Sequence, residues 1–332
     1  MERHDIAWSS VFAHSGSWRP PHGDDELSLA IGFFDGVHRG HAEVIREAVR
    51  LGRMRGLRPA VMTFEPHPRV VLGSDPERVR VLTPLEEKLR LLGELGIEVA
   101  YVVAFDREFA RMPAERFVRE LLLPLGARTV AVGFDFRFGS GGRGDPETLR
   151  AAGGDRIEVR VVPPVLEEGT KTSSTEIRRR IAAGDCEGAA RLLGRPYRVR
   201  GVVVHGDGRG RQIGFPTANV ALRHPYVLPR NGVYAVVVHA AEEADASAVS
   251  RPWPGVMNVG VRPTFGASDE EPRLEVHLFD FAGDLYGREL TVTFHAFLRP
   301  ERRFASVEEL TAQIGWDAAQ ARSLLCGIVS ER

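Results

Sequence analysis

The order of strand-like and helix-like segments constrains the fold of this chain most, because the pattern changes abruptly near residue 195. Upstream of that point, apolar runs typical of buried strands alternate with helix-like segments. The strand-like runs are LSLAIGFF (27–34), LRPAVMTF (57–64), EVAYVVAF (98–105) and RTVAVGF (128–134). Helical periodicity marks 41–56, 115–123 and 83–95, the last opening with a capping box of Thr83 and Glu86 around Pro84. This alternation predicts a doubly wound α/β domain with parallel strands.

Downstream of residue 195, strand signals follow one another with little helix between them. They are YRVRGVVVHG, GVYAVVVHA, WPGVMNVGV, RLEVHLFDF and RELTVTFHAFL. Glycine and proline turns separate these runs, which favours a small antiparallel β-barrel, and segment 306–325 predicts a closing helix. The stretch AAEEADASAVSRP (240–252) is typical of an exposed loop between two strands. We therefore expect two domains, 1–184 and 185–332.

Charge and composition exclude several classes of protein. The net charge is −1, whereas proteins that bind nucleic acids usually carry a marked basic excess. No stretch reaches the roughly 20 apolar residues of a membrane helix, and the start, MERHDIAWSS, lacks the apolar segment of a secretory signal. Cys186 and Cys326 are the two cysteines, which gives neither a disulfide framework nor a zinc site. We expect a cytoplasmic protein without nucleic-acid or membrane partners, and self-association stays open.

The segment IGFFDGVHRGH (31–41) follows the first predicted strand and is dense in glycine and histidine. Its glycines let the backbone approach a ligand closely. His38 and His41 lie three residues apart at the start of the predicted helix, on one side and beside free N–H groups. These features favour binding of a nucleotide phosphate; the alternative is two surface histidines on an ordinary helix. Thr63–Pro68 and Gly133–Gly139 follow two other strands and are predicted at the same sheet edge.

Two further segments suit phosphate or metal chemistry. TSSTEIRR (172–179) places hydroxyls at a helix start, with Arg178 able to reach an oxyanion; the alternative is simple capping. In GDGRGRQIGFPTAN (206–219), glycines permit a loop over phosphates, and Thr217 and Asn219 offer neutral oxygens that suit Mg²⁺. The alternative for this second segment is a turn in which both side chains bond their own backbone. No GxxxxGK[ST] phosphate loop occurs, so a kinase site would have to bind phosphates through a different loop.

Strand alternation draws attention to Glu275. In LEVHLFDF the apolar residues Leu274, Val276 and Leu278 share one face of a strand, which places Glu275 and His277 on the other. A carboxylate there can act as a general base toward a substrate hydroxyl. The alternative is a glutamate that faces solvent.

Several motifs resemble known families. GFFDGVHRGH resembles the GxFDGxHxGH signature of the flavin-type adenylyltransferases, within the HxGH nucleotidyltransferase group, and TFEPHP (63–68), VGFDFRFG (132–139) and SSTEIR (173–178) recur in the same order. The later half resembles a riboflavin kinase through GRGRQIGFPTANV, GVYAV, MNVGVRPTF and LEVHLFDFAGDLYG. The resemblance spans about residues 28–325, and is to the bacterial bifunctional riboflavin kinases and FAD synthetases. It implies a Rossmann-like nucleotidyltransferase domain followed by a riboflavin kinase-like barrel with its closing helix.

The resemblance also implies activities, partners and site residues. Riboflavin and ATP would give FMN, and FMN and ATP would give FAD and pyrophosphate, with Mg²⁺ as the metal. In the first domain it assigns transition-state stabilisation to His38 and His41, flavin binding to Phe64, Pro66 and Asp135, and ATP binding to Gly32, Phe34, Asp35, Gly36, Gly40, Ser174, Thr175 and Arg178. In the second it assigns the general base to Glu275, Mg²⁺ to Thr217 and Asn219, and ATP to Gly208, Gly210, Gly214, Pro216, Thr217 and Asn219.

The sequence departs from the family pattern at some positions. Phe33 stands where relatives often carry Asn or a small apolar residue, and we expect it to pack at the strand end. The loop GSGGRGD (139–145) has one arginine, Arg143, where relatives commonly carry several basic residues; Asp135 has turn capping as an alternative role. Two rival interpretations stay open. One is a nucleotidyltransferase with another acceptor, such as a sugar or pantetheine phosphate, fused to a binding barrel; the other is a flavin or nucleotide sensor whose first site has decayed.

Overall fold

The structure is a computed structural model, and it describes residues 1–9, 23, 25–73, 79–206, 208–240, 252–262 and 271–330. The chain divides into two compact units, Met1–Ser174 and Thr175–Arg332. The domain boundary after residue 184 stays a prediction. The predicted exposed loop at 240–252 falls almost entirely outside the described residues.

The first unit is built on a six-stranded sheet whose neighbouring strands all pair in parallel. Its strands are β1 (Glu2–Ile6), β2 (Leu27–Ile31), β3 (Arg58–Glu65), β4 (Val99–Ala104), β5 (Ala127–Gly133) and β6 (Glu158–Val162). They lie in the order β1-β4-β3-β2-β5-β6. The four predicted strands are confirmed as β2 to β5, whereas the two edge strands, β1 and β6, were not predicted.

Helices cover both faces of this sheet. They are α1 (Arg39–Arg55), α2 (Pro68–Leu72), α3 (Leu85–Glu94), α4 (Ala114–Phe117), which continues as a π-helical turn (Val118–Leu122), and α5 (Pro146–Gly153). Two separate apolar clusters form because successive strand residues face opposite ways: Leu29 and Met62 belong to one, Ala30 and Val61 to the other. The doubly wound architecture is therefore confirmed. A short hairpin of β7 (Leu166–Glu167) and β8 (Thr170–Lys171) follows the sheet.

The predicted capping box at the start of α3 is wrong. The helix begins at Leu85, and Pro84 is the N-cap residue, with no capping hydrogen bond from its side chain. The backbone N–H of Thr83 instead donates to the carboxylate of Asp35 at 3.0 Å. The turn before α3 is thus held by a residue 48 positions upstream, a contact that local sequence cannot reveal.

The strand order of the sheet marks where a ligand site is expected. From β2 the chain builds β3 and then β4 on one side, and afterwards returns to place β5 and β6 on the other. The order therefore reverses between β2 and β5, and in open α/β sheets ligands bind outside the carboxyl ends of the strands at such a switch point. The loops after β2, β3 and β5 leave the sheet at this edge because the strands are parallel.

The second unit is a closed six-stranded antiparallel barrel with a C-terminal helix packed on it, as the sequence predicted. Two helices, α6 (Ser174–Ala182) and α7 (Cys186–Leu193), precede it; the barrel elements are β9 (Tyr197–Val204), α8 (Arg209–Gln212), β10 (Ala218–Leu222), β11 (Gly232–Ala240), β12 (Trp253–Arg262), β13 (Glu271–Leu278) and β14 (Glu289–Arg299), and α9 (Val307–Ser330) closes the chain. Ala321 and Leu325 of α9 pack against Val233 and Val256 of the barrel. Strand β10 was not predicted. Across the described ranges no helix combines the length and apolar character needed to cross a membrane.

Candidate functional site

The loop between β2 and α1 has an unusual backbone. Phe34 and Val37 have φ angles of 53° and 39°, in the left-handed region that residues with a side chain seldom adopt, and Gly36 has a φ of 92°. The ring of Phe34 is buried, and a Cβ added to Gly32 would lie 3.0 Å from it. Glycine at position 32 therefore makes room for this ring. Backbone strain of this kind is characteristic of functional sites.

His38 and His41 are brought together at the start of α1. His38 is the N-cap residue and is buried, and its Nδ1 accepts the backbone N–H of His41 at 3.2 Å. The two rings stack with centroids 3.5 Å apart, and His41 also meets the edge of Phe34. A Cβ added to Gly40 would lie 3.2 Å from the His38 ring, so glycine at position 40 leaves room for this ring.

The capping bond also indicates which nitrogen of the neutral His38 ring carries the proton. Because Nδ1 accepts a hydrogen bond, it carries a lone pair, and the proton of the neutral ring sits on Nε2. The Nε2–H group is thus a donor at the N-terminus of a 17-residue helix, where the macrodipole adds positive potential. This arrangement suits an anion.

Asp35 and Ser174 hold the same loop from two sides. The buried carboxylate of Asp35 accepts backbone N–H groups of Leu82 and Thr83, each at 3.0 Å. The hydroxyl of Ser174 donates to the backbone oxygen of Asp35 at 2.9 Å. The side chains of Asp35 and Ser174 thus fix the loop, and their assignment to ATP binding stays a prediction.

Lys88 was missed in the sequence analysis. It is 4% exposed, and its Nζ donates to the backbone oxygen of Phe33 and to Oγ1 of Thr63, each at 3.2 Å. Burial lowers the pKa of this ammonium below its ordinary value, although the carboxylates of Glu65 and Asp35 act in the opposite direction. A signal was present: Leu85, Leu89 and Leu92 form the apolar stripe of α3, and position 88 falls on it.

The residues predicted to bind flavin lie on two different loops. Phe64 is the second-last residue of β3 and lies inside an aromatic cluster, with its ring centroid 5.2 Å from that of Phe33. Pro66 follows the end of the strand after a cis peptide bond with Glu65. Asp135 comes after β5, is largely exposed, and pairs with Lys171 at 2.8 Å. The expected packing role of Phe33 is confirmed, since its ring packs on the core.

Helix α6 carries Thr175 and Arg178, three residues apart and therefore on one side of the helix. Between them, Glu176 accepts hydrogen bonds from Arg179 and Arg180, and these contacts lower the pKa of its carboxyl to about 2. In the loop at 139–145, the side chain of Asp145 caps α5 through the N–H of Thr148. The carboxylate of Asp145 therefore has a structural role at the start of α5.

In the second unit, a cavity of about 710 Å³ lies between the barrel and α9. Its walls include Gly208, Gly210, Phe215, Thr217, Val233, Val256, Asn258, Arg273, Glu275, His277, Arg299, Glu301, Leu310, Ile314 and Asp317. The predicted alternation along β13 is confirmed: Leu274, Val276 and Leu278 are buried, whereas Glu275 and His277 face this cavity. The side chain of Glu275 is 22% exposed and lines this cavity, which does not favour the alternative of a glutamate that faces bulk solvent.

Glu275 sits in a row of polar residues that the strand register creates. It pairs with Asn219 on β10 and with Asn258 on β12. Arg273 donates to Oε1 of Glu275 at 2.6 Å, and Nδ2 of Asn258 donates to Glu301 at 3.0 Å. The sequence analysis missed Arg273 and Asn258 as cavity residues, although position 273 shares the face of Glu275 by simple alternation.

Thr217 connects the large cavity to a second one of about 110 Å³, because it lines both. The smaller cavity also contacts Arg211, Pro216, Phe281, Gly283, Leu285 and Tyr286. His277 helps to hold this wall, with Nδ1 2.8 Å from the backbone oxygen of Pro216. Gly214 has a φ of 83°, which favours glycine, within the turn that leads to Pro216.

The donor chemistry near these cavities fits Mg²⁺ rather than a softer metal. Within the described ranges, no group of three or more His, Cys, Asp or Glu side chains is arranged to hold an ion. Thr217 offers a neutral oxygen at the wall that both cavities share, and Asn219, two residues further on, pairs with Glu275 in register. Such sparse oxygen ligation is typical of Mg²⁺ that is held mainly by nucleotide phosphates.

Comparison with known proteins agrees with the two sites. The FAD synthetase family model matches residues 21–176, and the riboflavin kinase family model matches residues 193–325. A bifunctional riboflavin kinase/FMN adenylyltransferase of Bacillus subtilis is 41% identical over 294 residues, which is 88% of this chain and 90% of the relative. The protein of that description from Escherichia coli is 45% identical over 296 residues, or 89% and 91% of the two chains.

A solved structure matches over nearly the whole length. It is described as a macrolide-efflux protein from Streptococcus pneumoniae, has 33% sequence identity and a TM-score of 0.84, and the match covers 97% of this chain and 99% of that one. This match supports the fold, and the efflux description applies to that protein. With both family models and relatives of more than 40% identity over most of its length, the chain belongs to the family of bifunctional riboflavin kinase/FMN adenylyltransferases.

Proposed function

We propose that this chain uses ATP to phosphorylate riboflavin to FMN, and uses a second ATP to adenylylate FMN to FAD with release of pyrophosphate. One observation carries the proposal: each unit holds its own group of candidate catalytic side chains beside a loop suited to phosphates. The pair of His38 and His41 lies in the first unit. Glu275 shares a cavity with Thr217 in the second. Family membership supports both activities.

In the first site, a phosphate oxygen of FMN attacks the α-phosphorus of ATP, and the bond to the pyrophosphate oxygen breaks. No covalent intermediate with the protein is needed. The Nε2–H of His38, the imidazole of His41 and the N-terminus of α1 stabilise the negative charge that develops on the phosphates. Catalysis then rests on positioning and electrostatic stabilisation.

The remaining assignments of the first site follow the motifs. ATP contacts the loop through Gly32, Phe34, Asp35, Gly36 and Gly40, and its phosphate chain is bound by Ser174, Thr175 and Arg178. Flavin contacts Phe64, Pro66 and Asp135. The aromatic cluster around Phe64 supports the flavin assignment, because an isoalloxazine ring is flat and has a large aromatic face.

In the second site, Glu275 takes the proton from the 5′-hydroxyl of riboflavin, whose oxygen attacks the γ-phosphorus of ATP while ADP leaves. The shared position of Thr217 supports a division of the two substrates, with flavin in the large cavity and nucleotide on the side of the small one. Gly208, Gly210, Gly214 and Pro216 form the loop over the phosphates. Arg273 orients the carboxylate through its hydrogen bond to Oε1.

Thr217 and Asn219 would hold Mg²⁺ together with the phosphates of ATP. When bound, the ion neutralises phosphate charge and orients the nucleotide. We further expect both activities to reside in the cytoplasm, which remains an expectation from the sequence.

Product analysis tests the proposal. The purified chain is incubated with riboflavin, ATP and Mg²⁺, and flavins are separated by chromatography over time. We expect FMN first and FAD later, and chelation of Mg²⁺ should stop FMN formation. FMN without FAD would contradict the function proposed for the first site. Absence of both products would favour a flavin or nucleotide sensor.

A further inference from the structure

Lys88 stands out because of its residue type. Of the 44 lysines and arginines in the chain, only Lys88 and Lys171 are lysines. A guanidinium group stays charged and needs room for its planar fork, whereas an ammonium is compact and its pKa shifts readily on burial. Lys88 is 4% exposed. A chain that uses arginine almost everywhere therefore has lysine at a position where arginine would be hard to accommodate.

The surroundings of Lys88 do not favour a purely stabilising role. In the part of the chain that the structure describes, its partners are the backbone oxygen of Phe33 and Oγ1 of Thr63, and neither is charged. The charged groups facing it are Glu65 at the end of β3 and Asp35, whose carboxylate already accepts two backbone N–H groups. A buried cation without an ion pair lowers stability, and such residues are retained chiefly where function requires them.

The contacts of Lys88 lead to the histidine pair. Phe33 immediately precedes the left-handed backbone of Phe34, and four residues later comes His38. Lys88 of α3 donates to the carbonyl of Phe33, and the backbone N–H groups of residues 82 and 83, in the turn before α3, donate to Asp35. The loop is therefore held by two separate contacts. Both anchors lie at the switch-point edge of the sheet, on the strand side of the catalytic loop.

We propose that Lys88 is a positioning residue for adenylyl transfer: it fixes the Phe33 carbonyl, and hence the loop that presents His38, and its cation adds positive potential beneath the nucleotide phosphates. This inference rests on the function proposed for the first unit. Lys88 stabilises the transition state more than the bound substrates, because charge develops at the phosphates during transfer. Lys88 thus lowers stability while it supports catalysis.

Two variants test this role in the full chain. Lys88→Met removes the charge and keeps the length of the side chain, and Thr63 continues to donate to the Phe33 carbonyl. Lys88→Gln removes the charge but keeps a donor, so it carries the test if the Met variant unfolds. With FMN and ATP as substrates, both should lower kcat for FAD by about 10- to 100-fold, with KM values changed less than about 3-fold. The thermal midpoint should stay equal or rise.

Internal controls make the outcomes decisive. FMN formation from riboflavin in the same samples should match wild type, because the second unit is untouched. Arg90→Gln removes a positive charge from the half-exposed side of the same helix, where Arg90 pairs with Glu87, and should leave FAD formation unchanged. Wild-type kcat in either Lys88 variant overturns the inference, as does a loss of kcat that only follows a lowered thermal midpoint. If the wild-type chain itself makes no FAD from FMN, the proposed function fails instead.

Discussion

The two candidate sites differ in how their side chains are held. In the first unit, His38 and Lys88 are 5% and 4% exposed, and both are tied by hydrogen bonds to the strand ends or helix start that carry the loop. In the second unit, Thr217 is exposed and Glu275 is half-buried on the wall of a cavity of about 710 Å³. The buried residues of the first site therefore also contribute to the fold, whereas the residues of the second site lie on the wall of a cavity beside the barrel. Substitution of His38, which also caps a helix, should therefore lower both activity and stability, whereas substitutions in the second site should separate the two.

The largest expected effect is on the rate of FMN formation at the second site. Glu275→Gln keeps the shape of the side chain and removes the proposed base, so the rate of FMN formation should fall by about 10²- to 10⁴-fold. The thermal midpoint should change by less than about 2 °C, since a half-buried surface contact is lost. Chromatographic rates and a melting curve give both numbers.

Glu289→Gln is the matched control for that variant. Glu289 is also a half-buried barrel glutamate beside an arginine, with Arg223 at 3.5 Å, and it lies on β14 and lines neither of the two cavities. It should keep full activity. An equal loss in both variants would show that any charge change in the barrel impairs the kinase, and the role of Glu275 would be lost.

The next effect should show the coupling in the first site. His38→Ala removes both a phosphate donor and the N-cap acceptor of α1, so we expect about 10²- to 10³-fold slower FAD formation and a loss of about 1 kcal/mol in the free energy of unfolding. His38→Asn restores a capping oxygen and should recover the stability without the activity. Recovery of activity by Asn would mean that His38 serves only as a cap. Rates and chemical denaturation measure the two quantities.

A smaller effect is expected from the glycine between the histidines. In Gly40→Ala the new Cβ would lie 3.2 Å from the His38 ring, so the ring must shift by a few tenths of an ångström. Small misplacements of a catalytic group are costly, and we expect about a 10-fold loss in FAD formation. Gly93→Ala, a helical glycine of α3 with ordinary contacts, is the control and should be neutral or stabilising. Equal behaviour of the two variants would contradict the crowding argument.

The smallest effect concerns Glu176 and the pH dependence of stability. The pKa of its carboxyl is lowered to about 2 from an ordinary 4.5, so its ion pairs stabilise the fold fully above about pH 5 and are lost as the pH falls toward 2. The side chain lies near the surface, and Glu176→Gln should therefore cost less than about 1 kcal/mol at neutral pH. The difference between variant and wild type should shrink on acidification. A difference that grows in acid would contradict the sign.

Buried and exposed strands were not equally predictable from the sequence. Strand β2 is buried at all five positions and reads as an apolar run, so it was found directly. Strand β1, with the sequence ERHDI, pairs on one side only and is mostly exposed or half-buried, so hydrophobicity gives no signal for it. Strand β10 was missed because it is short and comes directly after the loop that ends in Pro216 and Thr217.

The candidate sites divide in a similar way. Glu275 was predictable, because the period of two along β13 separates it from Leu274 and Val276. The neighbours Asn219 and Asn258 come from strand register, which pairs residues 56 and 17 positions away from Glu275. The bonds of Asp35 to Leu82 and Thr83 likewise join residues that only the folded sheet brings together. The sequence shows that Lys88 is a charged residue on an apolar helix stripe, but it does not show that Lys88 contacts Phe33 and Thr63.

The central claim is that two separate sites act in one chain, and a two-by-two comparison tests it most directly. Glu275→Gln and His41→Ala are each assayed for riboflavin to FMN and for FMN to FAD, at saturating ATP and Mg²⁺. We predict reciprocal losses: the first variant loses only FMN formation and the second loses only FAD formation. Loss of both activities from either substitution would contradict the account.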